Sequence, residues 1–135
     1  MTAAAVLDPI AVLSDTRRAS GPALRAFERI GDRWELSQRE RYTILGLPRS
    51  TYFTAKKNAG SARLSRDTLE RISYVLGIYS ALKILLPRRE AADGWIRTPN
   101  DNSLFKGHPP IEMMLGGKVG DLFVVRRYLD GERGW

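Results

Sequence analysis

Apolar residues in this chain return at intervals of three and four, and no apolar–polar alternation of β-branched residues lasts long enough to build a strand. That periodicity confines the chain to helices, so the expected fold is all-α. Leu69, Ile72, Leu76 and Tyr79 mark the clearest stripe, on a helix that Ser65 caps. Val75, Ile78, Leu82 and Leu85 widen it over most of the girth, which predicts a helix buried on several sides, with Gly77 as a point where it can kink or divide. With 135 residues, 43% of them hydrophobic, the chain can bury one ordinary core or two small ones that share a helix.

Punctuation residues place the other elements. Residues 1–20 match no usable pattern and are expected to be an N-terminal arm open to disorder. Gly21-Pro22 opens a first helix, with Ala23, Leu24, Phe27 and Ile30 on one face and Gly31-Asp32 at its end. Ser37 followed by Glu40 is a capping-box pair, Leu36 stands before it as a staple, and Gly46 sits where a helix C-cap belongs. Leu47 plugs the turn and Pro48 stops the first helix from continuing. A second short helix covers Arg49 to Lys57. Pro87 closes the long helix, and a short helix over Arg88 to Trp95, a loop over Arg97 to Pro110, a helix from Pro110 and a last helix over Val119 to Leu129 complete the chain.

Two short helices joined by a tight glycine turn are a helix-turn-helix candidate, expected within residues 21–64. The charge supports it. The net charge is +7, and residues 34–66 carry seven Lys/Arg against two Asp/Glu, whereas each flanking segment has an excess of one. A localised cationic excess suits a polyanion, because each Lys or Arg set on a phosphate releases a condensed counterion. Arg49, Ser50, Thr51 and Tyr52 occupy the base-reading end of the second helix, and Lys56 and Lys57 suit phosphates. The competing reading is a helical hairpin in a structural bundle, with Tyr52 and Phe53 in its core; Phe53 is expected to be core on either reading.

Composition argues against catalysis and bound cofactors. There is no cysteine and a single histidine, His108, so neither a thiolate site nor a multi-His metal site can form. No nucleophile elbow, Gly-rich phosphate loop or H-E-x-x-H motif is present. No apolar run approaches membrane-spanning length, and Met1 to Ile10 lacks the basic start of a signal peptide, so no membrane partner and a cytoplasmic location are expected.

The second half carries a resemblance. Gly94-Trp95-Ile96-Arg97-Thr98-Pro99-Asn100, then Phe105-Lys106-Gly107-His108-Pro109-Pro110-Ile111-Glu112, then Gly116-Gly117 and Asp121-Leu122, follow in order a Trp, a Pro-Asn loop, a Gly shortly before Pro, a short helix ending in Gly and an amphipathic last helix. This pattern resembles the toxin-binding domain of the Xre/MbcA/ParS antitoxins, and with the helix-turn-helix upstream the likeness covers roughly residues 22–130. The resemblance implies a helical toxin-binding and dimerisation domain over residues 65–135, a cognate RES-domain toxin that consumes NAD, occlusion of that toxin's active site, operator DNA as a second partner, autorepression, and a homodimer within a larger complex. It directs attention to Trp95, Arg97, Pro99, Asn100, Phe105, Arg126, Arg133 and Trp135 as toxin contacts. From the residues alone, Trp95 and Phe105 can equally pin a loop to the core, Pro99 and Asn100 can shape a turn, and Trp135 beside Arg133 can be an interface anchor or a frayed end. A stand-alone repressor with a C-terminal dimerisation or sensing domain remains the alternative.

Overall fold

A computed structural model describes residues 16–134. In chain order the helices are α1 (Thr16–Arg33), α2 (Gln38–Leu45), α3 (Arg49–Lys57), a 3-10 turn (Ala59–Ser61), α4 (Arg66–Leu85), α5 (Arg89–Gly94), a second 3-10 turn (Trp95–Arg97), α6 (Pro110–Met114) and α7 (Val119–Glu132). There is no strand among the described residues. The fold is all-α, a helix-turn-helix unit followed by a smaller helical unit.

Helix α4 is the axle. It packs against α1 on the N-terminal side and α7 on the C-terminal side. Leu69, Ile72, Val75, Ile78, Ala81 and Leu82 are all at most 1% exposed, which is why its apolar stripe runs around so much of its girth. One apolar cluster runs without a break from Ala23 and Phe27 in α1 to Leu122, Val125 and Leu129 in α7.

The first helix differs from expectation at both ends. It starts at Thr16, inside the segment expected to be an arm, and carries Pro22 in its interior. Pro22 forgoes one helical hydrogen bond, yet Ser20, Gly21, Ala23 and Leu24 around it are buried, and packing outweighs local propensity. The Ser20 hydroxyl accepts the Leu64 N–H at 2.9 Å and fastens that turn to the segment before α4. Residues 1–15 lie outside the described residues.

At its far end α1 runs past Gly31 to Arg33. Gly31 is not a stop. A Cβ there would sit 2.9 Å from the Arg41 guanidinium carbon, so the residue makes room for a buried arginine. The stop is a Schellman motif: the Leu36 N–H donates to the Gly31 carbonyl (2.9 Å) and the Glu35 N–H to that of Asp32 (3.2 Å). Its left-handed position, normally glycine, is held by Glu35 at φ 55°. Helix α4 is likewise continuous at Gly77, where a Cβ would meet the Arg126 guanidinium at 2.4 Å.

Candidate nucleic-acid and partner interfaces

The turn between α2 and α3 is built as its residues dictate. The Ser37 hydroxyl accepts the Glu40 N–H (3.1 Å) while the Glu40 carboxylate accepts the Ser37 N–H (2.8 Å), a closed capping box. Gly46 takes φ 69°, and its N–H reaches back to the Thr43 and Tyr42 carbonyls. A side chain at Gly46 would also strike Arg71, whose guanidinium lies 2.7 Å from the Cβ position. Pro48 then starts α3 in extended geometry, without a side-chain cap.

Helix α3 presents Arg49, Ser50, Thr51, Thr54 and Lys57 to solvent. Tyr52 is a correction. It is fully buried, with its hydroxyl donating to Glu28 Oε1 at 2.6 Å and lying 3.2 Å from Gln38 Oε1, so it cannot meet a base edge. Burial, then the bond to Glu28, pushes its phenol well above the ordinary tyrosine value. Phe53, expected in the core, is 36% exposed and lies under Arg49, whose guanidinium is 5.3 Å from the ring centroid. The two aromatics have exchanged places: α3 turns position 52 inward and position 53 outward. Lys56 bends back to Gln38 Oε1 (3.0 Å) and lies 3.7 Å from Glu28.

Beneath this face sits a network that sequence reading missed. Arg41 is 6% exposed, donating to Glu28 (2.8 Å), Asp32 (2.9 Å) and the Leu36 carbonyl (3.0 Å). Burial alone would lower its basicity; the two carboxylates reverse this and hold its pKa above the ordinary arginine value. Arg71, 8% exposed, donates to Asp67 (2.9 Å), to the Ile44 carbonyl at the end of α2 (3.3 Å) and to the Gly117 carbonyl between α6 and α7 (3.0 Å). The only sequence hint of this pair was the Asp67–Arg71 spacing of four.

In the C-terminal unit several residues expected at a partner surface turn inward. Trp95, Phe105 and Tyr128 form an aromatic triad: Phe105 meets the other two edge-on, and Trp95 stacks on Tyr128 at 6.3 Å. Phe105 is only 4% exposed, and Trp95 is half-buried. Asn100 shapes the loop, its side-chain oxygen accepting the Asn102 N–H (2.9 Å) and its carbonyl the Gly107 N–H (2.8 Å). Arg97 reaches back to the front unit, donating to Glu40 (2.8 Å) and to the Trp34 (3.3 Å) and Glu35 (3.0 Å) carbonyls at the end of α1. That bond is the chief reason the Glu40 carboxyl lies below its ordinary pKa. Arg126 lies over Gly77, 3.4 Å from Asp130, and Arg133 is 3.8 Å from the same carboxylate. Pro99 is exposed; Trp135 lies outside the described residues. Phe123 (42%) and Val124 (38%), which sequence reading did not select, are exposed on α7 beside the exposed Arg127. The amphipathic pattern marks the inner face of α7 but does not say which outer residues stay apolar.

A helix-turn-helix with a cationic outer face is joined through a shared helix to a second helical unit, the architecture of a two-part helix-turn-helix protein. Residues 14–77 match the antitoxin Xre-like helix-turn-helix domain, and residues 81–134 the antitoxin Xre/MbcA/ParS C-terminal toxin-binding domain. The chain is also similar to "Uncharacterized protein y4oB" of Sinorhizobium fredii (strain NBRC 101917 / NGR234), at 48% identity over 122 residues, which cover 90% of this chain and 91% of that protein. The chain belongs to the Xre/MbcA/ParS antitoxin family.

Proposed function

We propose that this antitoxin neutralises a RES-domain, NAD-consuming toxin by covering its active-site entrance, and represses its own operon through α3. It acts in the cytoplasm as a binding protein rather than a catalyst, as a homodimer within a larger toxin–antitoxin complex. The observation that carries this reading is the pairing, in one chain, of an outward-facing Arg49, Ser50 and Thr51 on α3 with a matched toxin-binding domain. Arg49 suits a guanine edge, and the two hydroxyls suit bases or phosphates.

On the toxin side, Phe123 and Val124 with Arg127 are the surface this reading favours, because an aromatic with a neighbouring arginine is typical of an interface anchor. Pro99, Trp95, Arg133 and Trp135 are further toxin contacts in this reading; Phe105, Asn100, Arg97 and Arg126 act by holding the loop and α7 in shape.

The test is co-expression with the product of the neighbouring open reading frame. That product alone should stop growth and deplete cellular NAD, and the antitoxin should restore both and co-purify with it. Phe123→Asp should abolish rescue while leaving the promoter gel shift intact. A partner that binds but leaves NAD untouched removes the RES assignment. No partner binding, with the gel shift retained, leaves a stand-alone repressor.

A further inference from the structure

On one flank of α3 Lys56 bends back to Gln38 and Glu28, while Lys57 faces solvent. On the other flank of α3 lies an open cleft of about 540 Å3, between the helix and the turn that leads to α4. Ser50, Thr51 and Thr54 form its helix wall, and Asn58, Ser61 and Arg63 its opposite wall. Its floor is Ala55 and Ala62, side chains short enough to let a strand approach the backbone.

Two further features point to the same ligand. From Arg49 to Arg66 the chain carries five Lys/Arg and no Asp or Glu. Arg63 is exposed, and no carboxylate lines the cleft to neutralise it. The turn is also rigidly set. The Ser61 N–H donates to the Asn58 carbonyl (2.9 Å), the Asn58 side chain to the Thr54 carbonyl (3.2 Å), and the Leu64 N–H to the buried Ser20 hydroxyl (2.9 Å). A fixed, hydroxyl-lined cleft with one cation and no acid is matched to a chain of anions with oxygen acceptors.

We propose that this cleft is a backbone clamp for one strand of duplex DNA, with Arg63 as its phosphate-binding cation and the Thr54 hydroxyl as a supporting donor. The proposal rests on the DNA-binding reading above. It separates two tasks: Arg49 at the outer start of α3 chooses the sequence, and the cleft, with Ser50, Thr51 and Thr54 on its helix wall, sets the register of the duplex without reading it.

The full-length chain tests this by gel shift or anisotropy on its promoter duplex and on a scrambled duplex, from 50 to 200 mM salt. Arg63→Gln should weaken binding several-fold on both duplexes alike. It should make the salt dependence shallower by about one phosphate contact, roughly threefold to fourfold less loss over that range. Arg88→Gln removes the same charge from an exposed arginine beyond the other end of α4 and should leave the slope unchanged. An unchanged slope in Arg63→Gln, with wild-type binding intact, overturns the clamp while sparing the DNA-binding reading. Loss of toxin association in Arg63→Gln without a change on DNA makes the cleft a protein surface and also overturns it. Absence of wild-type binding to any duplex overturns both.

Discussion

Tyr52 shows how a single residue changes role once its neighbours are in place. Its position in the first turn of α3 fits base contact, but its hydroxyl is held by Glu28 of α1. Tyr52→Phe should therefore cost about 1 kcal/mol of stability, read from the urea midpoint, and leave DNA sequence preference unchanged. Because burial and Glu28 raise its pKa, the folded state retains the phenolic proton more tightly than the unfolded chain. The stabilisation is complete below the ordinary tyrosine value of about 10 and is lost as pH rises above it, so Tyr52→Phe should flatten the alkaline fall in stability. Glu40 has the opposite sign. Its carboxyl is depressed chiefly by Arg97, so its contribution is present above the ordinary glutamate value of about 4.3 and fades as pH falls below it. Urea midpoints at pH 6 and pH 3 should differ less for Glu40→Gln than for the wild type.

At the scale of elements, one helix end and one helix interior carry the lesson. Helix α1 stops on a left-handed Glu35, whose part in the motif is its backbone N–H. Glu35→Gly should raise stability by about 0.5–1 kcal/mol, measured by thermal melting, because glycine adopts that conformation without Cβ strain. Helix α4 presents Gly77 to Arg126. Gly77→Ala should gain about 1 kcal/mol of helix propensity in an Arg126→Ala background and lose most or all of that gain in the wild type, where the guanidinium must move away from Asp130. A double-mutant cycle reads the difference directly. Gly31 was read as a stop and Gly77 as a point of kinking or division for one reason: glycine signals a break locally, but both are glycines because an arginine from another helix lies against them.

For the molecule as a whole, the two matched domains are not two independent bodies. The match of one ends at residue 77 and that of the other begins at residue 81, and both limits fall inside α4. Arg71 ties α2 to the turn before α7, and Arg97 ties the C-terminal loop to the ends of α1 and α2. Circular dichroism and tryptophan fluorescence should report one coincident unfolding transition. Arg71→Ala should lower stability by about 2–4 kcal/mol without splitting that transition, since it strands the buried Ile44 carbonyl and releases the Gly117 carbonyl of the other unit. Two separate transitions would contradict the shared axle.

The helical class, the Ser37–Glu40 box, the Gly46 turn and the Ser65 cap were legible because each depends on residues within one turn of chain. The wide apolar stripe of α4 likewise announced a helix covered on two sides. Which face of α3 meets solvent, the buried stations of Arg41 and Arg71 and the reach of Arg97 to the front unit were not legible. Those depend on partners up to 63 residues away, such as Trp34 for Arg97. Local hydrogen bonds and side-chain size are written in the order of the residues, whereas desolvation and long-range charge pairing exist only after distant helices have met.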